Sequence, residues 1–206
     1  MSKYENFLNN ENESFNPLTS DESLIMELTP KKKAFVINKI LPMMPIALLW
    51  LVFDSILIVS AFVQFKTNVW IGLIMLAFLA VHLIPFWTWL GTVLTAGKVW
   101  ENTKYYVTDK RIIIQSGFVA KNFQSVYYKE IKNVNLHIGI VDKMLSVGDV
   151  YFNTNGLMNN AFLDIENAQQ VYQHVQKIVL DIQTDIEYPN AYRPSENPGY
   201  NTKYNG

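Results

Sequence analysis

The sequence predicts an α+β fold in which a two-helix transmembrane hairpin precedes a strongly bent antiparallel sheet or barrel, capped by one C-terminal helix. The hairpin is predicted from two apolar runs of about 25 residues each, 41–65 and 69–94, since either run can cross ~30 Å of hydrocarbon. Three residues, Lys66 to Asn68, separate the runs, and so short a link allows only an antiparallel pair. The sheet is predicted from short period-two segments after Lys98, and the cap from an amphipathic stretch that follows them.

The composition excludes several classes of protein. The chain has 206 residues and a net charge of −1, so it lacks the basic field of a nucleic-acid-binding protein. It contains no Cys, which excludes disulfides and thiolate metal sites. About 150 residues remain outside the hairpin, which is enough for one compact domain with tails.

The positions of lysine and arginine predict the orientation. The link between the spans holds only Lys66, whereas basic residues cluster beside the outer end of each span. The positive-inside rule then predicts a two-pass plasma-membrane protein with both termini in the cytoplasm. The predicted organisation is a disordered tail at 1–20, a juxtamembrane segment at 21–39, the hairpin at 40–95, a cytoplasmic domain at 98–183 and a disordered tail at 184–206.

The juxtamembrane segment is predicted to hold a short strand and the start of a helix. Apolar residues alternate from Ser23 to Leu28, and Thr29–Pro30 has the residue types of an N-cap and a first helical position. Lys31, Lys32 and Lys33 follow. These lysines either fix the topology of the spans or bind anionic headgroups, at ~1 kcal/mol each.

Prolines and tryptophans mark the ends of the predicted spans. Pro42 and Pro45 lie near the start of the first span, where they are expected to bend its axis, and Pro85 is expected to kink the second. Indole rings suit the two interfaces of a bilayer. Tryptophans occur towards the two ends of the second span, at Trp70, Trp87, Trp89 and Trp100.

Two ionisable residues lie deep inside the predicted spans. Asp54 precedes Thr67 by thirteen residues, and His82 follows it by fifteen. Folding the hairpin about Thr67 therefore brings both residues to within ~3 Å of one depth. We interpret them as a polar clasp, since a bare carboxylate is costly in lipid and each side chain can satisfy the other. The alternatives are a proton or ion relay and a contact with solvent or a second subunit.

The strands are predicted from runs of β-branched and aromatic residues between turn signals such as Asp109–Lys110 and Asn155–Gly156. Short strands in such a series indicate an antiparallel sheet that is curled or closed. The six predicted strands are Thr103–Thr108, Arg111–Ser116, Lys121–Tyr128, Val134–Ile140, Val150–Thr154 and Ala161–Ile165.

An amphipathic helix is predicted after the strands. Asn167 has the residue type of an N-cap, with Gln170 three residues on. His174 is expected on the polar face. The apolar face consists of Ala168, Val171, Tyr172, Val175, Ile178, Val179 and Ile182. A single helix after six strands is expected to cover the sheet or close one end of it.

We identify no catalytic or cofactor motif in the sequence. There is no phosphate-binding loop, dinucleotide-binding glycine pattern, zinc-ligand cluster or nucleophile elbow. The three histidines, His82, His137 and His174, fall in different predicted elements. We therefore predict that the chain is not an enzyme and binds neither a metal nor an organic cofactor.

Four motifs occur in order between Trp100 and Leu180. They are YYVTDKRIIIQSG from Tyr105, YKEIKNVNL from Tyr128, GIVDKMLSVGDVYFNTNG from Gly139 and AFLDIENAQQVYQHV from Ala161. Together they resemble the bacterial pleckstrin-homology-like (bPH) domain membrane proteins, in which two preceding spans are also typical. The resemblance implies a PH-like fold, with a seven-stranded, strongly bent sheet and one C-terminal helix.

The resemblance also raises the question of lipid binding, because domains of this fold often hold phosphoinositide headgroups near the first hairpin. The candidate headgroup contacts are Lys31, Lys32, Lys33, Lys104, Lys110, Arg111 and Lys121. Against this, residues 98–183 carry nine Lys/Arg and eight Asp/Glu, a net charge of +1, which is no strong basic field. Asp109–Lys110 also suits a turn for structural reasons alone.

Three functional hypotheses follow. The first is an anchored interaction or assembly module at the cytoplasmic face of the plasma membrane, with the bilayer and a protein, or a second copy of the chain, as partners. The second is anionic-lipid sensing by the PH-like domain. The third is a small transporter or channel component that uses Asp54 and His82. No nucleic acid is expected as a partner.

Overall fold

The computed structural model describes residues 17–19, 22–154 and 160–187, which form six α-helices and two antiparallel sheets. A turn of 3₁₀-helix spans Tyr128–Glu130. In chain order the elements are β1 (Leu24–Leu28), α1 (Lys32–Ile40), α2 (Met44–Thr67), α3 (Val69–His82), α4 (Ile84–Glu101), β2 (Lys104–Thr108), β3 (Arg111–Ser116), β4 (Asn122–Tyr127), β5 (Asn133–His137), α5 (Ile140–Leu145), β6 (Gly148–Asn153), β7 (Asn160–Ile165) and α6 (Ala168–Glu187).

The first sheet has the strand order β1-β2-β3-β4, and β1 comes from before the four helices α1 to α4. β1 pairs antiparallel with β2, so that Leu28 lies opposite Tyr105. The alternation in Ser23 to Leu28 therefore marks a real strand. With β1, the described residues hold seven strands, the number that the resemblance implies. That they form one bent sheet or barrel stays a prediction.

The second sheet has the order β5-β6-β7, and the hydrophobic core lies between the two sheets and α6. The ring of Tyr105 stacks on Phe162 with centroids 4.8 Å apart, and Phe152 meets Phe162 edge-on at 4.7 Å. Val171 and Val175 of α6 are buried in the same cluster. The C-terminal helix therefore covers the sheets, and His174 is exposed on its outer face, as predicted.

Within the described residues, α2 is the one helix that by itself is long and apolar enough to cross a membrane. α3 and α4 pass the same test together, but they are bent by 58° at a break at Leu83. Pro85 lies in the first turn of α4, where its ring prevents α3 from continuing. The bend expected from Pro85 is therefore present, while the pairing of two membrane spans stays a prediction.

The link between α2 and α3 is shorter than the three residues predicted from composition. α2 ends at Thr67, and Asn68 alone precedes α3. The Asn68 side chain accepts the backbone N–H groups of Trp70 and Ile71, which caps α3. The two helices then approach closely, because a Cβ added to Gly72 would lie 2.5 Å from the Cα of Phe65.

One predicted helix boundary and one predicted bend are wrong. The helix expected to begin at Thr29–Pro30 begins at Lys32, because the residues before it are held in an extended link. The Pro30 carbonyl accepts the indole N–H of Trp100 at 2.7 Å, and the Lys31 N–H donates to the carbonyl of Asp164 at 2.8 Å. Pro42 does not bend a span, since it lies in the turn that separates α1 from α2.

One predicted strand is too long. The strand expected at Val134–Ile140 ends at His137, and Ile140 begins the short helix α5 instead. The carboxylate of Asp142 accepts the backbone N–H of Gly139 at 2.8 Å, which stabilises the start of this helix.

The predicted tails fall mostly outside the described residues. Residues 1–16 and 188–206 lie there, so their predicted disorder stays a prediction. α6 continues to Glu187, four residues past the predicted end of the domain at 183.

Candidate functional site

The Thr-Asp-Lys-Arg hairpin between β2 and β3 holds the segment that precedes β1. Nε and Nη2 of Arg111 donate to the two carboxylate oxygens of Glu22, each at 3.0 Å. The Thr108 hydroxyl also bonds to Glu22, at 2.6 Å, and the Glu22 side chain is fully enclosed. A two-bond guanidinium–carboxylate pair has a specific geometry, so it fixes Glu22 against the hairpin.

Asp109 of the same hairpin extends this contact along the backbone. The Ser23 N–H donates to Asp109 Oδ1 at 3.0 Å, and the Asp109 N–H donates to the Ser23 carbonyl at 3.1 Å. The hairpin motif therefore attaches the strand before the helices to the sheet that follows them.

The charge on Glu22 is strongly favoured in the fold. Burial by itself would raise the pKa of Glu22, but the bonds from Arg111, Thr108 and Thr19 outweigh burial and lower the pKa to about 2. The bond with Glu22 in turn raises the pKa of Arg111. Both groups are therefore ionised at neutral pH, and we call them the Glu22–Arg111 lock.

Most of the basic residues predicted as headgroup contacts have partners inside the chain. Arg111 is held by Glu22, and Lys104 Nζ lies 2.8 Å from Glu27 Oε1 across the β1–β2 pair. Lys31, just before α1, and Lys32, its first residue, also have partners inside the chain.

Lys31 and Lys32 both bind to other parts of the chain. Lys31 Nζ lies 2.9 Å from Glu166 Oε1, and it donates to the Leu145 carbonyl at 3.1 Å. Lys32 Nζ lies 4.7 Å from the centroid of the Trp100 ring, a cation–π contact.

The remaining candidates are Lys33, Lys110 and Lys121. The backbone N–H of Lys110 donates to the Thr108 hydroxyl at 3.2 Å. Lys33 and Lys121 are exposed, and within the described residues neither has an ion-pair partner. A headgroup site built from all seven residues would require several internal contacts to break.

A second polar cluster joins α1 to α5 and the second sheet. Asn38 of α1 donates through Nδ2 to Asp142 Oδ1 at 2.6 Å and to Asp164 Oδ1 at 2.5 Å. The Asp164 N–H donates to Asp149 Oδ1 at 2.8 Å. A cavity of about 540 Å³ adjoins the cluster and is also lined by Lys39 and other residues of α1, α5 and the second sheet.

Burial perturbs the ionisation of this cluster. It raises the pKa of Asp164 to about 6, opposed by the Asn38 bond and assisted by the neighbouring charges of Asp149 and Asp142. Burial also raises the pKa of Asp149 and lowers that of Lys39. Within the described residues, no three His, Cys, Asp or Glu side chains are arranged to hold a metal ion. Asp164 therefore binds a proton at a higher pH than an exposed aspartate does.

The structure brings Asp54 and His82 together. His82 Nδ1 lies 2.9 Å from Asp54 Oδ2 and 3.1 Å from Oδ1. The Asp54 side chain is fully buried, whereas the His82 side chain is 31% exposed. The rings of Phe78 and Trp50 lie 5.1 and 5.6 Å from the imidazole, so aromatic groups surround the pair. Its position inside a membrane stays a prediction.

Two indoles satisfy carbonyls beside the break between α3 and α4. Trp50 Nε1 donates to the His82 carbonyl at 2.9 Å, and Trp87 Nε1 donates to the Ala80 carbonyl at 3.1 Å. Such partners compensate for backbone bonds that a break removes where water is scarce. The polar pair and the break thus form one connected site.

Sequence patterns identify only part of these sites. Asp54 and His82 stand out because they interrupt apolar runs. Glu22 and Asn38 were missed, because no local period links them to distant partners. Arg111 lies 89 residues from Glu22. The two carboxylates bound to Asn38 lie 104 and 126 residues from it. The one available signal for Asn38 is a neutral amide near the C-terminal end of a helix that otherwise carries lysines and apolar residues.

A family model for the bacterial PH domain matches residues 33–179, which is more than half of the chain. The matched region starts within α1 and includes α2, α3 and α4 as well as six of the strands. No curated protein and no solved structure matches the chain.

Proposed function

The chain belongs to the bacterial PH domain family, and we propose that it is an integral membrane protein whose two spans hold a PH-like head at the cytoplasmic face of the plasma membrane. In this proposal the head is an interaction or assembly module. It comprises β1 as well as the region 98–183, because β1 is part of the first sheet.

The observation that carries the proposal is the surface of α2. This helix has 24 residues, a length of ~36 Å, and its large apolar side chains point away from the rest of the protein. Phe53 and Ile56 are 73% and 74% exposed. A continuous apolar surface of this kind is rare on a protein in water, and lipid is the solvent that favours it.

The pairing of β1 with β2 supports a two-pass topology. β1 precedes all four helices and β2 follows them, yet the two strands are hydrogen-bonded neighbours. Because paired strands lie on one side of a membrane, any crossings between them must be even in number. α2 and the bent pair α3–α4 supply two crossings, and the excess of lysine and arginine at the outer ends favours a cytoplasmic head.

A protein partner is favoured over anionic lipid as the recognised ligand. Two spans already concentrate the head at the membrane, so a weak protein contact is sufficient for assembly. Lys31, Lys32, Lys104 and Arg111 are engaged inside the chain, which leaves few cations for a headgroup site. The transport hypothesis has one supporting feature, the Asp54–His82 pair, but a relay requires a series of such groups.

The topology can be tested with single cysteines, since the natural chain has none. Thr67→Cys, beside the α2–α3 link, is expected to react with a membrane-impermeant thiol reagent in intact cells. Val119→Cys, on the head, is expected to react only after the cells are permeabilised. Extraction of the chain into the soluble fraction by alkaline carbonate, or labelling of Val119→Cys in intact cells, would overturn the proposal.

The choice of partner can be tested in the same system. A photo-crosslinking residue at Tyr127, exposed on β4, is expected to capture a protein or a second copy of the chain in native membranes. The lipid alternative predicts instead that the double variant Lys33→Ala, Lys121→Ala releases bound anionic lipid from the full chain in nanodiscs. Loss of lipid without any protein crosslink would favour lipid sensing.

A further inference from the structure

Three exposed apolar side chains lie together on the head near its junction with α1. Ile138 is in the turn before α5, and Ile140 and Met144 are one helical turn apart on α5 itself. Ile140 and Met144 are 85% and 80% exposed. We call these three residues the α5 patch.

Contacts at both ends of α5 fix its direction relative to α1. Asp142, in the first turn of α5, bonds to Asn38 near the end of α1. Leu145, at the end of α5, accepts a bond from Lys31 just before the start of α1. α5 is therefore antiparallel to α1, and Ile138 and Ile140 lie towards the end of α1 that leads into α2.

α1 in turn runs beside the last turns of α4. The Trp100 indole bonds to the Pro30 carbonyl, and Lys32 lies over the same ring, so the start of α1 is level with the end of α4. The end of α1 reaches α2 through a turn of three residues, 41–43. Asn38 follows Lys31 by seven residues, which is about 10 Å along the axis of α1. Asn38 and the neighbouring Ile140 are therefore nearer to α2 than Lys31 and Trp100 are.

We propose that the α5 patch inserts into the headgroup and acyl-chain boundary of the same bilayer that holds α2. This inference rests on the proposed function, because it needs the spans to be in lipid. Leu41 and Met43, in the turn that leads from α1 into α2, are also exposed apolar residues. Lys39, at the same level of α1, lines the cavity beside the patch, and its Nζ lies 5.2 Å from the centroid of the Phe35 ring.

Lipid fits this surface better than a second protein chain does. Three side chains form a patch far smaller than the roughly 800 Å² per partner that a stable interface buries. Insertion into a bilayer that the chain already spans needs no separate association step. The insertion would hold the head at one tilt, so that its opposite surface faces the cytoplasm.

The test uses full-length single-cysteine variants reconstituted in vesicles and labelled with an environment-sensitive fluorophore. Ile140→Cys is expected to show blue-shifted emission and quenching by lipids that carry a nitroxide near the headgroup. Val119→Cys is the matched control, because Val119 is as exposed as Ile140, at 86%, but lies elsewhere on the head. Its neighbour Phe118 accepts a bond from Asn102, so Val119 lies near the far end of α4. Met144→Cys, one turn further from α2, is expected to be quenched less than Ile140→Cys.

A third label separates this inference from the proposed function. Ile56→Cys, in the middle of α2, is expected to be quenched by nitroxides placed deep in the acyl chains. If Ile56→Cys is quenched but Ile140→Cys behaves like Val119→Cys, the patch is not in lipid and the inference fails while the anchor stands. Disulfide-linked dimers of Ile140→Cys without lipid quenching would likewise overturn it. If Ile56→Cys itself is not quenched, the proposed function fails.

Discussion

The Glu22–Arg111 lock makes a measurable contribution to stability. Glu22→Gln keeps the size of the side chain but removes its charge, and it leaves Arg111, itself only 16% exposed, without a counter-ion. In the native protein the pKa of Glu22 falls from 4.5 to about 2. A pKa lowered by that amount corresponds to at most about 3.4 kcal/mol, and solvent screening at the partly exposed Arg111 reduces this to about 2 kcal/mol.

The sign of the pH dependence follows from the direction of the pKa change. A carboxyl whose pKa is lowered by folding stabilises the native state above its unfolded pKa, and it loses that contribution as the pH falls towards the folded pKa. The native chain should therefore lose about 2 kcal/mol between about pH 5 and pH 2 through this group. Glu22→Gln should be less stable at neutral pH by the same amount and should lack this dependence.

The assay is equilibrium unfolding of the full chain in detergent, followed by tryptophan fluorescence, with amide exchange in β1 as a local readout. Glu27→Gln is the matched control, because Glu27 and its partner Lys104 are 42% and 41% exposed on the same sheet. An exposed pair of this kind contributes at most about 1 kcal/mol. Equal losses from the two variants, or unchanged β1 exchange in Glu22→Gln, would refute the reasoning.

Three further predictions concern the helices and the α1 junction. Gly72→Ala should destabilise the α2–α3 pair by about 1–3 kcal/mol. Gly91→Ala should not, because the space around Gly91 is open. Equal melting temperatures of the two variants in detergent would contradict the close contact. Asp54→Ala should lower the free energy of unfolding by about 1 kcal/mol, because it removes the bond with His82. Ser60→Ala should leave it unchanged, because the Ser60 hydroxyl bonds only within α2. A stabilised Asp54→Ala would argue against a clasp. Folding raises the pKa of Asp164 to about 6, so the melting temperature should rise as the pH falls from about 7 to about 5, and Asp164→Asn should abolish that rise. The same pH profile in Asp164→Asn would exclude this carboxyl as the cause.

Local patterns were sufficient for much of the head. β3 was predicted with its observed bounds, Arg111–Ser116, because β-branched residues lie between two turn signals. α6 was predicted because its buried residues recur with the helical period. α5 was not predicted, since six residues carry too little periodicity and the helix depends on the contact of Asp142 with Asn38.

For the helices too, local patterns predicted some features and missed others. The apolar runs and Pro85 predicted α2 and the bend between α3 and α4. They did not predict that α1 is a separate helix beside α4, because the bond between Trp100 and Pro30 joins residues 70 positions apart. The partners of Arg111 were equally hidden, and a basic residue that looked available for a headgroup proved to hold Glu22.

The sequence by itself determined where the long apolar helices, the C-terminal helix and most of the strands lie, because hydrophobic periodicity is a local property of the chain. Only the tertiary structure decided that β1 crosses back to pair with β2, that Glu22 closes on Arg111, and that Asn38 joins α1 to two buried carboxylates. Those contacts depend on the direction in which each element leaves its neighbour, and hydrogen bonds between distant residues set that direction without leaving a period in the sequence.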